Sequence, residues 1–163
     1  MKAATEEDFL ARLDEHRRIL WKVAGTYCRG DEDRRDLVQE IVVQLWRAFP
    51  RYDEQYRFST WMYRIAMNVA ISFHRSESRR TRDLMPFDEP LLEIAAPEPP
   101  SDESRLLHEW IAGLDALNKA LVILYLDGNS QEEIAEVLGI SATNVSTKIN
   151  RLKQRLRREL GTK

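Results

Sequence analysis

Between residues 57 and 82 stand six arginines, Arg57, Arg64, Arg75, Arg79, Arg80 and Arg82, against the single acid Glu77. Aromatic residues are interleaved with them: Phe58, Trp61, Tyr63 and Phe73, with Tyr52 and Tyr56 just before. Guanidinium groups pair with phosphate oxygens and ring faces carry unstacked bases, so this mixture suits a nucleic-acid strand whose bases are turned out. The competing reading packs the rings in a core. Trp61 and Tyr63 cannot both do so on one helix, because residues two apart point to different sides.

A second set lies near the end of the chain. Ser130-Gln-Glu-Glu133 has the form of a capping box, Gly139 supplies a left-handed turn residue, and Ser141 can cap a following helix. Ala135 is small where two helices would cross, and Val145 is a branched apolar group able to lock the second onto the first. This is helix-turn-helix patterning. The second helix offers Asn144, Ser146, Thr147, Lys148, Asn150 and Arg151, then Lys153, Arg155, Arg157 and Arg158. In a major groove the early residues reach base edges and the later cations meet phosphates. A solvated basic helix in an ordinary bundle is the alternative.

Other chemistry finds no support in the residue types. His16, His74 and His108 fall in three different elements, Cys28 has no partner at a useful spacing, and no Gly-rich phosphate loop occurs. Glu132 and Glu133 are explained by capping and the helix dipole. Neither catalysis, a metal nor a cofactor is therefore expected. A lone cysteine excludes an internal disulfide and points to a reducing, cytoplasmic setting. The apolar runs are far short of the roughly 20 residues that span a bilayer, and the start MKAATEED lacks a signal-peptide core, so no membrane insertion is expected.

The elements that must position these residues read as helical, and no long period-two alternation suggests a sheet. The expected fold is all-α, two small helical domains covering 1–82 and 105–163, joined by an acidic, Pro-rich linker at 83–104. Thr5 and Asp8 open a first amphipathic helix carrying Phe9, Leu13, Leu20, Val23 and Tyr27 and ending before Gly30. Asp31 and Asp33 offer N-caps to a second, with Leu37, Ile41, Leu45 and Trp46 on one side until Pro50. Ser59 can cap a third whose Met62, Ile65, Ala66, Val69 and Phe73 face inward. Residues 83–104 hold five prolines and no basic residue, although Leu84, Met85, Phe87, Leu91, Leu92 and Ile94 could dock in a partner's groove. Ser101 or Asp102 then caps a helix through Leu114, Asp115 caps another through Leu126, and Gly128 ends it. The net charge of -2 conceals the organisation. Residues 1–82 carry 16 basic and 13 acidic side chains, 83–104 carry 0 and 7, and 105–163 carry 9 and 7, so an acidic stretch divides two mildly basic blocks.

Three segments, Asp36-Leu-Val-Gln-Glu40, Arg57-Phe-Ser-Thr-Trp-Met-Tyr-Arg-Ile-Ala-Met-Asn68 and Ser130-Gln-Glu-Glu-Ile-Ala-Glu-Val-Leu-Gly139, resemble regions two and four of bacterial sigma factors. Their order, with only a short linker between the blocks, resembles the extracytoplasmic-function, or group IV, class. The resemblance runs from about residue 9 to 160. It implies a factor that binds core RNA polymerase, recognises minus-ten and minus-thirty-five promoter elements and assists melting. Asp36, Gln39 and Glu40 match the positions that grip the beta-prime clamp helices, a solvated face being the other reading. Tyr56, Arg57, Phe58, Trp61, Arg64, Asn68 and Arg75 match the segment that opens and reads the minus-ten element, and the loop from Tyr52 to Arg57 stands where this class builds a pocket for a flipped base. Region four implies contact with the beta flap and minus-thirty-five reading by Asn144, Ser146, Thr147, Lys148, Asn150, Arg151 and Arg155. An anti-sigma factor is the implied regulator.

Three positions depart from the family's pattern. Arg64 and Ile65 stand where primary sigma factors have a tryptophan pair, which implies weaker melting. Ser146 replaces a basic residue common in relatives, and Asp115 replaces a proline, both of which start a helix. The linker is long enough for two DNA-reading blocks to reach promoter elements about two turns apart, since 22 residues span at most about 70 to 80 Å and two turns of B-DNA are about 70 Å. Its acidity suits either a channel built for RNA or a solvated spacer. The rival functions are a one-component regulator with the same terminal motif, for which the segments at 36–40 and 57–68 have no purpose, and a polymerase adaptor, which leaves the arginines unexplained.

Overall fold

The computed structural model describes residues 5–75 and 101–161, and every regular element among them is helical. The chain divides into two units, Met1–Glu98 and Pro99–Lys163. The linker apolar residues Leu84 to Ile94, and Arg79, Arg80 and Arg82, lie outside the described residues. No helix among the described residues is long and apolar enough to cross a membrane.

The first unit contains α1 (Glu6–Glu15), α2 (Arg17–Tyr27), α3 (Asp31–Ala48), a short 3-10 turn over Phe49–Arg51, and α4 (Phe58–Arg75). Thr5 caps α1 by accepting the Asp8 N–H at 3.1 Å. The single helix expected from Thr5 to Gly30 is broken at His16. There the Nδ1 of the His16 ring lies 2.9 Å from the Arg12 carbonyl. A carbonyl only accepts, so the ring N–H takes the oxygen that the His16 backbone would otherwise use, and that backbone N–H turns to Leu13 instead. Two of the expected caps are also corrected. Gly30, not Asp31 or Asp33, is the N-cap of α3, and the acids Asp31, Glu32 and Asp33 occupy its first turn, where they complement the helix dipole. Helix α4 begins at Phe58, with the Arg57 carbonyl accepting from Trp61, so Ser59 lies inside the helix.

Helix α3 packs against both α2 and α4, and Phe9, Leu20, Leu37, Ile41, Leu45, Met62 and Tyr63 are fully buried. Each such side chain contributes about 1.5–3 kcal/mol. On α4 the buried set is Met62, Tyr63, Ala66, Met67 and Ala70, whereas Ile65, Val69 and Phe73 are half-buried. The inward face is thus rotated from the expected one, because Tyr63 enters the core. Trp61 stays at its rim, so these two aromatics do diverge.

The second unit contains α5 (Asp102–Ala112), α6 (Ala116–Leu126), α7 (Gln131–Leu138) and α8 (Ala142–Leu160). Ser101 caps α5 through the Ser104 N–H, so the helix starts at Asp102, within the last residues read as linker. Helix α6 is the centre: it touches α5, α7 and α8, and Leu121 and Leu124 are fully buried. Gly128, at φ 82°, ends α6, with Asn129 N–H bonded to the Leu124 carbonyl and Gly128 N–H to that of Tyr125. Those are the two bonds of a Schellman turn.

Candidate nucleic-acid interface

In the first unit the outward side of α4 follows from its period. Trp61, Arg64 and Asn68 recur at three- and four-residue steps opposite the buried Met62, Ala66 and Ala70. Arg64 and Asn68 are exposed, and Trp61 is half-buried. Arg75 is the last residue of α4 and continues the same register, but its side chain lies outside the described residues. Trp61 does not stand alone. Its ring lies 4.9 Å from Tyr52, 5.2 Å from Phe58 and 6.3 Å from Phe49, and Phe49 in turn lies 5.1 Å from Phe9. A rigid aromatic wall therefore ends in one partly open indole beside a cation and an amide.

Phe58 requires a correction. Only 6% of it is exposed, and its ring is edge-on to Tyr52 at 5.4 Å, so it supports the wall and offers no face to a base. The sequence could not distinguish these roles, because a stacking platform and a core ring are the same residue type.

The loop entering α4 is shaped by its own side chains. The Gln55 N–H donates to the Asp53 carboxylate at 2.9 Å, and the Tyr56 N–H donates to the Asp53 carbonyl at 3.0 Å. The Tyr52 hydroxyl donates to the Tyr56 carbonyl at 2.6 Å. Burial raises the Tyr52 pKa, against the opposing pull of Arg12, so the proton needed for that bond is held at neutral pH. Tyr56 is then left 53% exposed next to the exposed Arg57. One residue that sequence reasoning missed joins this loop from α1. Arg12 donates to Glu54 at 2.8 Å, and its guanidinium carbon stands 5.5 Å from the Tyr52 ring centre and 5.9 Å from that of Phe58. No local signal could have paired residues 42 positions apart.

In the second unit the capping box is complete: Ser130 Oγ accepts the Glu133 N–H at 3.1 Å and the Glu133 carboxylate accepts the Ser130 N–H at 3.0 Å. Gly139 takes φ 71°, and Ser141 caps α8 through the Asn144 N–H. Val145, Ile149 and Leu152 turn inward. Asn144, Thr147, Arg151 and Arg158 consequently share the exposed face of α8, and Asn150 is exposed on its flank. Ser146 and Lys148 are half-buried at the edges of the packed side rather than fully presented. Two cations expected to meet phosphates are engaged within the protein. Arg155 donates to Glu159 at 3.0 Å, and the Lys153 ammonium lies 4.6 Å from the Tyr125 ring centre. Glu159 also accepts the Trp110 indole N–H at 2.9 Å, a tie from α5 that the sequence did not suggest. That bond, followed by the charge of Arg155, holds the Glu159 carboxyl below its ordinary pKa.

The third candidate face lies on α3. Asp36, Gln39 and Glu40 are half-buried, so this polar side of α3 is only partly open to solvent. The cause is the central place of α3 between α2 and α4, which partly covers even its polar side. Glu40 accepts from the Gln44 amide at 3.2 Å, and Arg34 donates to the Cys28 carbonyl at 3.1 Å, which fixes the start of the helix.

The family profile for sigma-70 region 2 matches residues 13–80, and that for sigma-70 region 4 matches residues 104–156. The chain belongs to the sigma-70 family. Its relatives place it in the extracytoplasmic-function (ECF) class, whose members are transcription initiation factors. The ECF RNA polymerase sigma factor SigE of Mycolicibacterium smegmatis is 29% identical over 149 residues, covering 88% of this chain and 58% of the relative. This chain thus spans less than two thirds of that relative's length. The ECF RNA polymerase sigma-E factor of Escherichia coli is 31% identical over 132 residues, covering 73% of this chain and 69% of the relative. Among solved structures, the sigma factor RpoE of Bartonella quintana, determined in complex with the anti-sigma factor NepR, shares the fold. Its TM-score is 0.72 at 18% identity, covering 96% of this chain and 98% of that one.

Proposed function

We propose that this ECF sigma factor binds core RNA polymerase through the α3 face of Asp36, Gln39 and Glu40 and contacts promoter DNA through two chemically different surfaces. The first unit reads an opened minus-ten strand. Trp61, Arg64 and Asn68 stack, neutralise and hydrogen-bond, while Tyr56 and Arg57 in the entering loop receive a base turned out of the helix; Arg75 extends the same register. The second unit reads the minus-thirty-five duplex, with Asn144, Thr147 and Arg151 at base edges, Ser146, Lys148 and Asn150 on the flanks, and Arg158 toward phosphates. Arg155 reaches a phosphate only at the expense of its bond to Glu159. The beta flap is the second unit's polymerase partner, and an anti-sigma factor, as in the complex known for the Bartonella protein, holds the chain inactive.

The observation that carries this reading is the pairing of an indole with an exposed amide and guanidinium on α4 at one DNA-reading surface, and a polar, cationic helix face without a ring at the other. Extruding a base costs a few kcal/mol of stacking, which only the first kind of surface can offset. Run-off transcription with purified core polymerase and a promoter pool tests the whole assignment. Replacing Gln39 by Ala and Glu40 by Lys should abolish core binding in a pull-down while the chain stays folded, since both are half-buried polar sites outside the apolar core and the change removes one hydrogen bond, from Gln44, worth about 0.5–1.5 kcal/mol. Undiminished binding would remove the polymerase face from α3.

A further inference from the structure

The loop 52–57 presents five exposed residues, Asp53 to Arg57, at the entry of α4. Its internal bonds define a turn but do not by themselves fix where that turn stands relative to the helix bundle. Tyr52 ties one end of the loop to Trp61 and Phe58, and the exposed middle is held from α1. Arg12 is the anchored partner, with 28% of its side chain exposed, and Glu54 is the free one, with 75% exposed. The guanidinium covers the Tyr52 and Phe58 rings, its Nη2 holds Glu54 at 2.8 Å, and its Nε stands 3.5 Å from an Asp8 carboxylate oxygen. His16, through the contact with the Arg12 carbonyl and a ring 5.2 Å from Phe58, supports the same corner.

We infer that Arg12 is a positioning residue for base reading, holding the loop 52–57 in place through Glu54. The inference rests on the reading of that loop as the receiver of an extruded base. A direct role for Arg12 on a phosphate is disfavoured by its surroundings. Two carboxylates already share the one guanidinium, so its charge is compensated within the protein and it offers little attraction to a phosphate. Lysine could not substitute. A compact ammonium lacks the planar fork that covers two rings while it meets carboxylates on different nitrogens.

The test uses holoenzyme assembled from the full chain and core polymerase, with a single-stranded DNA pool randomised across the downstream element and sequenced after capture. Arg12→Ala, Arg12→Lys and Glu54→Ala should each lower enrichment of the preferred base roughly three- to tenfold, with core binding unchanged and the protein still folded at the assay temperature. The thermal midpoint should fall modestly for the Arg12 variants, which lose packing on two rings, and stay in place for Glu54→Ala. Arg12→Ala combined with Glu54→Ala should be no worse than either alone, because both remove the same tie. Tyr56→Ala and Arg57→Ala supply the reference. If they change the preference and the Arg12 and Glu54 variants do not, the positioning role is overturned while the loop's role stands. If neither set changes it, the loop does not read bases and the underlying reading falls. A gain in DNA capture on Glu54→Ala, with base preference intact, would make Arg12 a direct phosphate contact and also overturn the proposal. So would a loss of preference that only follows a loss of folded protein.

Discussion

The two surfaces proposed to face DNA are assembled in opposite ways. In the second unit, the turn and the helix α8 are set by contacts between residues three or four apart: Ser130 with Glu133, Gly139 with Ala135, Ser141 with Asn144. In the first unit the proposed reading face depends on partners far away in the chain, namely Phe9 and Phe49 behind Phe58, and Arg12 across to Glu54. A duplex groove has a fixed shape and needs a helix of defined start at a fixed angle; local capping supplies the start, and the packing of Val145, Ile149 and Leu152 on neighbouring helices supplies the angle. A flipped base needs a pocket closed on several sides, and only packing between elements can build one.

The sharpest way to break this contrast is Phe58→Ala. As a wall residue it should cost about 3–5 kcal/mol of stability in urea unfolding, with loss of minus-ten reading following from unfolding. Unchanged stability with lost DNA reading would return Phe58 to the role of base platform. Next in size, Arg151→Ala should weaken closed-complex formation and relax upstream preference by about 1–3 kcal/mol if it reads a base. Asn68→Ala should spare recruitment to duplex and impair opening. Permanganate footprints on natural duplex and on a pre-melted bubble separate them, and upstream selectivity restored to the Arg151 variant by the bubble would defeat the division.

The local character of the second unit is sharpened by Gly139→Ala. Its φ of 71° lies in the left-handed region, so a side chain there costs about 1–2 kcal/mol, read as a lowered thermal midpoint. Ser130→Ala should cost about 0.5–2 kcal/mol by removing one arm of the capping box. The smallest effect concerns the long-range exception, Trp110 with Glu159. The Glu159 pKa is depressed in the folded chain, so the tie is fully present above the ordinary carboxylate range and is lost as pH falls through the lower folded value. The Trp110 indole N–H resonance should shift across that acid window. The Glu159→Gln variant should show no such titration, and a persisting shift would assign it to another group.

Legibility in the sequence divides along the same line. The capping box, the Gly128 and Gly139 stops and the Asp115 and Ser141 caps were readable, because each is a hydrogen bond within about one turn of its own residue; the α5 cap was narrowed to Ser101 or Asp102, and the inward Val145 followed from the apolar period of α8. The sigma-factor motifs were readable for a similar reason, being contiguous stretches. What the sequence by itself determined was therefore the all-helical class, the helix boundaries set by side-chain caps, and the family. Only the tertiary structure decided the break at His16, the starts of α3 and α4, the burial of Phe58 and Tyr63, the withdrawal of Lys153 and Arg155, and the Arg12–Glu54 tie. The His16, Arg155 and helix-start features are local bonds chosen among several that the same residues could make, whereas the burial of Phe58 and Tyr63, the Lys153–Tyr125 contact and the Arg12–Glu54 tie depend on which distant surfaces meet, about which spacing along the chain carries no information.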